Sequence, residues 1–205
     1  MEIKRRRGKL FKFEIWIAMM LVKVINKISF GYLRLFPFCL LKYDGIPEIK
    51  YTRGRGLIRY GLIEDADNMA ILEDKKDIFL KRFNNNENCI VATHTDKIIG
   101  YEWFSDKPIH VEERFYYPLD VPEGCIYSYD AFIQKEYRLS GVWLKFKKLL
   151  QEYMQVHQKK CILTLIDYDN SLSMSTHVRF GFTTYKYVVA IKILNKYYYL
   201  ERNKE

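Results

Sequence analysis

Residues Ile133-Gln134-Lys135-Glu136-Tyr137-Arg138-Leu139-Ser140-Gly141-Val142-Trp143 run out of one apolar stretch and straight into Leu144-Lys145-Phe146. Cys125 to Ile133 alternates as a strand does. Gly141 to Val156 is amphipathic, with Leu144, Leu149, Leu150 and Tyr153 set opposite Lys145, Lys147, Lys148 and Glu152. A tight turn between a strand end and a helix start leaves several backbone N–H groups unpaired and aimed one way. The helix dipole adds to them, which suits the turn to an anion such as a pyrophosphate. Gly141 permits close backbone approach and Arg138 supplies a cation. Taken alone the pattern is weak, since many such junctions are merely caps.

Downstream lies Asn170-Ser171-Leu172-Ser173-Met174-Ser175-Thr176-His177-Val178-Arg179-Phe180-Gly181-Phe182, after a short apolar strand (Cys161 to Ile166) and an acidic turn (Asp167, Asp169). This reads as a helix capped by Asn170 and closed by a left-handed Gly181. Upstream, Gly56 to Ile63 reads as a strand, and Glu64 to Phe83 as helical with a break near Asp74. Cys89 to Thr93 and Ile98 to Phe104 form a hairpin across His94-Thr95-Asp96-Lys97. Residues 106–123 hold three prolines and read as a long loop or ragged strand. Two Tyr-rich strands around Leu194-Asn195-Lys196 close the chain.

The two features, in this order and separated by one helix and one strand, resemble the GNAT acetyltransferase family. Ile133, Tyr137, Arg138 and Gly141 match its first motif. Asn170, Ser173, His177, Gly181 and Phe182 match its second, and Ile98-Ile99-Gly100-Tyr101 is similar to the end of its strand pair. The resemblance covers roughly Leu57 to Leu194. It implies an α/β fold with a mixed, mostly antiparallel sheet of about six to seven strands flanked by helices. Two departures stand out: Lys135 replaces a usual proline, and Trp143 replaces a small residue beside the pyrophosphate.

The resemblance also implies acetyl-CoA as co-substrate, with no metal, and direct attack of an amine or hydroxyl of a small acceptor on the thioester. Backbone groups of Phe132 and Ile133 would hold the pantetheine arm. Arg138, Leu139, Ser140, Gly141, Val142 and Trp143 would hold the pyrophosphate, and Asn170 would touch the cofactor from the far side. His177 falls where many relatives carry a general acid, and an imidazole with a reference pKa near 6.5 can pass a proton at neutral pH; it can equally be a packing residue. Tyr127 stands where some relatives carry a catalytic carboxylate, though a phenol with pKa near 10 is a poor base unaided. Period-two alternation puts Tyr127 and Tyr129 on one face with Ile133, and Asp130 and Glu102 are further candidates. Two other readings stay open: a non-catalytic domain that binds an acyl carrier or a protein, and a longer-chain acyltransferase at a membrane surface.

The chain has 205 residues, enough for a sizeable core, and its hydrophobic (49%) and charged (29%) fractions exclude a disordered chain. Its net charge of +9 is uneven: residues 1–60 carry 14 Lys/Arg against 4 Asp/Glu. Residues 1–56, which lie outside the resemblance, read as a basic amphipathic extension, and the resemblance implies an acyltransferase domain over 57–205. A helix is expected from Leu10 to Ser29, and residues 1–41 are expected to lie outside the catalytic sheet. The longest uncharged run of that helix, Ile15 to Val22, is too short to span a membrane. Its apolar face would pack on the domain, on a second copy in a homodimer, or on a peripheral membrane surface. Residues 61–205 offer no basic face for nucleic acid. Cys39, Cys89, Cys125 and Cys161 lack metal spacing; Cys39, Cys89 and Cys161 lie in apolar runs and read as buried reduced thiols, which fits a cytoplasmic protein.

Overall fold

The computed structural model describes residues 20–50 and 54–203. The chain divides into two compact units. A terminal unit holds Met1–Leu41, Val111–Pro118 and Leu165–Glu205, and a central unit holds Lys42–His110 and Leu119–Thr164.

In the central unit, β2 (Leu57–Tyr60), β3 (Asn88–His94), β4 (Lys97–Ser105) and β7 (Cys125–Ile133) pair antiparallel in that order. β8 (Cys161–Asp167) then joins β7 in parallel over Cys125–Ser128. Helices α2 (Ala66–Ala70) and α3 (Lys76–Asn84) are separated at the break near Asp74, and α3 lays Phe79 against Tyr101 and Trp103 of β4. Helix α4 (Val142–Val156) buries Val142, Phe146, Lys147, Leu150, Gln151 and Met154. This corrects the amphipathic reading, because Lys147 is completely buried while Leu144 is exposed.

The reason lies across the interface. Glu102 of β4 is also fully buried, and it accepts hydrogen bonds from Lys147 Nζ and, at 2.5 Å, from Ser128 Oγ of β7. Glu102 is thus half of an internal ion pair on a central strand, not a solvated carboxylate.

In the terminal unit, β1 (Leu33–Asp44) lies beside β9 (Thr183–Ile193), which pairs antiparallel with β10 (Lys196–Asn203). For residues 33–41 this overturns the expectation that they stand outside the sheet. Gly31, at φ 85°, ends the preceding helix α1, described over 20–28, and Phe38, Cys39, Leu40 and Leu41 are buried as strand residues. A run apolar on successive residues is what a strand covered on both faces requires. The expectation for residues 10–19 lies outside the described residues. Helix α5 is Ser171–Phe180. Within residues 106–123, Ile109–Glu112 (β5) and Tyr117–Asp120 (β6) form a two-stranded sheet, so the proline-rich stretch is a hairpin.

The cysteines differ from expectation as well. Cys125 and Cys161 are registered opposite each other on β7 and β8, with Cα atoms 4.5 Å apart, and form a disulfide. Parallel pairing brought together two residues 36 positions apart in sequence. Cys39 and Cys89 are free and buried, and burial pushes the Cys39 thiol up to about 11.

Candidate active site

In the central unit, the candidate residues begin at a bulge in β7. Gly100 pairs with Ile133 and Tyr101 with Phe132, whereas Trp103 pairs with Tyr129. Asp130 and Ala131 therefore both face Glu102, and Asp130 takes the left-handed conformation (φ 43°) that accommodates the extra residue. The bulge reverses the alternation. Phe132 stacks on Tyr101, and Tyr129 pairs with Trp103, so Tyr127 and Tyr129 share a face with Phe132 and not, as period two predicted, with Ile133.

Pairing ends where Gln134 N–H donates to Ile99 O (2.9 Å). A 3-10 turn (Lys135–Tyr137) follows, and the Ser140 N–H and hydroxyl both donate to Tyr137 O, at 3.0 and 2.7 Å. Gly141 caps α4 in the left-handed region, φ 81°. The dipoles of the fifteen-residue α4 thus converge on the turn Arg138–Gly141. Arg138 donates through Nε to Ile133 O (3.0 Å), which fixes its guanidinium beside that carbonyl. Trp143, the bulky departure, lies along the helix with the Lys147 ammonium 5.1 Å from its ring centre.

A strap crosses this turn that sequence reading missed. Lys145, in the first turn of α4, donates to Gly54 O (2.8 Å) and Gly56 O (2.7 Å). A side chain on Gly54 would run into the Ser140 carbonyl oxygen, and one on Gly56 would meet Thr93 O at 2.9 Å. The sequence signal was present in Arg53-Gly54-Arg55-Gly56, two glycines alternating with cations.

A polar cluster surrounds the bulge. Asp130 accepts from Arg82 (2.5 Å) and Lys75 (3.0 Å). Burial alone would raise its pKa, but the two cations outweigh burial and hold the carboxyl below its ordinary value. Tyr101 donates to Glu73 and Tyr129 to Glu87; burial, reinforced by neighbouring carboxylates, pushes both phenols well up. Tyr127 is fully buried, its ring stacked on Tyr129 and 4.7 Å from that of His110.

The terminal unit holds the remaining candidates. Asn170 Oδ1 accepts from Ser173 N–H (3.1 Å) and caps α5. Gly181 (φ 113°) closes the helix, and Phe182 N–H returns to His177 O at 3.0 Å. His177 is buried, with its ring edge-on to Phe182 and Nδ1 2.9 Å from Ser173 O. A carbonyl oxygen only accepts, so Nδ1 is the donating nitrogen of this contact. Phe132, Ile133 and residues 138–143 are thus gathered on one turn and Tyr127 sits on the same strand, while Asn170 and His177 sit together on α5. No group of His, Cys, Asp or Glu suited to a metal ion occurs among the described residues.

No family model and no curated protein matches the sequence. Solved structures match the fold. One is a putative GNAT-family acetyltransferase from Novosphingobium aromaticivorans, at TM-score 0.55 and 12% identity over 84% of this chain and 66% of that one. Another is an aminoglycoside N-acetyltransferase in complex with CoA, at TM-score 0.51 and 15% identity over 62% of this chain and 91% of that one. A conserved protein of unknown function from Staphylococcus epidermidis matches at TM-score 0.55 and 9% identity, over 83% of this chain and 66% of that one. The chain spans a little under two thirds of that protein and 52% of a Drosophila protein that also matches.

Proposed function

We propose, from a fold shared with the GNAT N-acetyltransferases, that this chain binds acetyl-CoA at the turn between β7 and α4 and transfers its acetyl group to the amine of a small acceptor. The observation that carries the proposal is the conjunction of a bulged, terminating strand with a glycine-capped helix start. β7 pairing with β4 runs past the bulge at Asp130 and stops at Ile133, and the turn that follows sets Arg138 beside the start of α4. A diphosphate fits such a turn because fixed amide dipoles replace its hydration.

Acetyl-CoA would supply the activated acyl group. The chain's own residues would orient and desolvate it. Arg138 and the backbone from Leu139 to Trp143 would hold the diphosphate, and Phe132 and Ile133 would offer backbone groups to the amide arm. Ile133 O already accepts from Arg138, and its second lone pair leaves capacity for one more donor. His177, with its Nδ1 proton anchored on Ser173 O, would act in its imidazolium form and return the Nε2 proton to the leaving thiolate. Of the base candidates on β7, Tyr127 is buried among rings, and Asp130 is an ionised carboxylate whose depressed pKa makes it a weak base.

One observation favours a second reading, a binding domain without catalysis. The carboxylates near the bulge are internally engaged: Asp130 with Arg82 and Lys75, Glu102 with Lys147, and Glu73 with Tyr101. Incubating the protein with acetyl-CoA and a panel of amines, while following free thiol, separates the two. Acceptor-dependent thiol release is expected, and His177→Phe should slow it by roughly 100-fold while leaving CoA affinity unchanged. CoA binding with no release for any acceptor would establish the second reading.

A further inference from the structure

The basic character of this protein belongs to a unit and not to a terminus. The terminal unit carries 16 Lys/Arg against 8 Asp/Glu, a net of +8, which leaves the central unit at +1. Two of its segments, 15–41 and 170–200, contain no acidic residue. Both contribute to one surface. Leu194 N–H donates to Tyr32 O (2.8 Å), so the turn between β9 and β10 lies beside the end of α1.

That surface is apolar as well as basic. Leu21, Val24 and Ile28 recur at i, i+3 and i+7 on one face of α1, and Leu21 and Ile28 are 57% and 64% exposed. Phe30, in the turn that follows, is 90% exposed, and Tyr32 and Leu194 are exposed beside it. The opposite face of the helix is pinned. Asn26 donates to Leu35 O (3.0 Å) and accepts from Leu35 N–H (2.7 Å), and Ser29 donates to Leu33 O. The stripe therefore points outward because the other side of α1 is committed to β1. Lys23 and Lys27 flank it on the helix, and Lys192 and Lys196 flank the β9–β10 turn.

We propose that the terminal unit docks on an anionic lipid surface, with Leu21, Val24, Ile28, Phe30 and Leu194 inserted at the headgroup level and the lysines at the phosphates. No helix among the described residues is long and apolar enough to cross a membrane; the contact proposed is interfacial, with the apolar stripe at the headgroup boundary. A second copy of the chain is the poorer occupant, because it would bring one +8 unit against another. Aliphatic side chains ringed by lysines match lipid acyl chains and phosphates together.

The test is co-sedimentation of the full chain with vesicles of phosphatidylcholine alone or mixed with phosphatidylglycerol, at low and high salt, beside sedimentation velocity without lipid. A monomer is expected that binds only the anionic vesicles and is released by salt. Each lysine near such a surface is worth about fivefold in affinity, so Lys23→Gln/Lys27→Gln should weaken binding by about 25-fold. Leu21→Glu/Ile28→Glu should abolish it without moving the urea midpoint. Should the second variant fail to fold, the lysine variant decides alone. No binding to anionic vesicles, equal binding by the lysine variant, or a dimer that Leu21→Glu/Ile28→Glu dissociates would each overturn the proposal; the last would make a second copy the occupant.

Discussion

Replacing Lys147 with Met tests the buried pair under α4. Lys147 and Glu102 are both fully inaccessible, and Glu102 Oε2 has no hydrogen-bond partner even with the lysine present. Removing the ammonium leaves a carboxylate in the core with one remaining donor, Ser128 Oγ. Breaking a buried pair from one side costs about 3–5 kcal/mol, whereas replacing both members with apolar side chains is neutral or stabilising by about 1–4 kcal/mol. Lys147→Met and Glu102→Leu should each lower the melting temperature by roughly 6–20 °C, at about 2–4 °C per kcal/mol for a chain of this size. The double variant should return to the wild-type value or exceed it. Urea unfolding of the four proteins gives the coupling directly, provided the slope with denaturant stays constant. A Lys147→Met protein within about 1 kcal/mol of wild type would refute the reasoning, since an exposed pair is worth no more than that.

Asp130→Asn should remove a stabilising charge that acts only when ionised. The native carboxyl titrates below its ordinary value near 3.8, so its contribution is fully present above that value and fades as the pH falls through the lower native pKa. The stability gap between wild type and variant should therefore be widest at neutral pH and close in acid; a gap constant down to pH 2 would contradict this. Alkylating the denatured, unreduced chain should label two cysteines, Cys39 and Cys89, and reduction should raise the count to four. Before denaturation neither should react at neutral pH, because both are buried and desolvation disfavours their thiolates.

What could be read from the sequence was what depends on neighbours along the chain. Asn170 and Gly181 announce the two ends of α5, and Gly141 announces the start of α4, because each acts on its own backbone. The hairpin β3–β4 follows from two apolar runs around four polar residues. What could not be read depends on distant partners. Lys147 has the spacing of a surface lysine until Glu102, 45 positions earlier, is placed beneath it. Leu33 to Leu41 continues the apolar character of α1, so nothing local marks it as a strand beside β9. The bulge at Asp130 lies in a clean alternation and is visible only in the register with β4; without it the faces of Tyr129 and Ile133 were misassigned. The strap at Gly54 shows only where its carbonyl meets Lys145.

Titrating the full chain with CoA in a calorimeter, wild type beside Gly141→Val, bears most directly on the claim that the β7–α4 turn is a CoA site. Gly141 is left-handed at φ 81°, a conformation that costs a β-branched residue about 1–3 kcal/mol, so the variant's turn would relax and have to be rebuilt on binding, with Kd weakened about tenfold. Saturable binding by the wild type with that loss in the variant is the predicted result. No binding by the wild type, or equal affinity in both proteins, would contradict it.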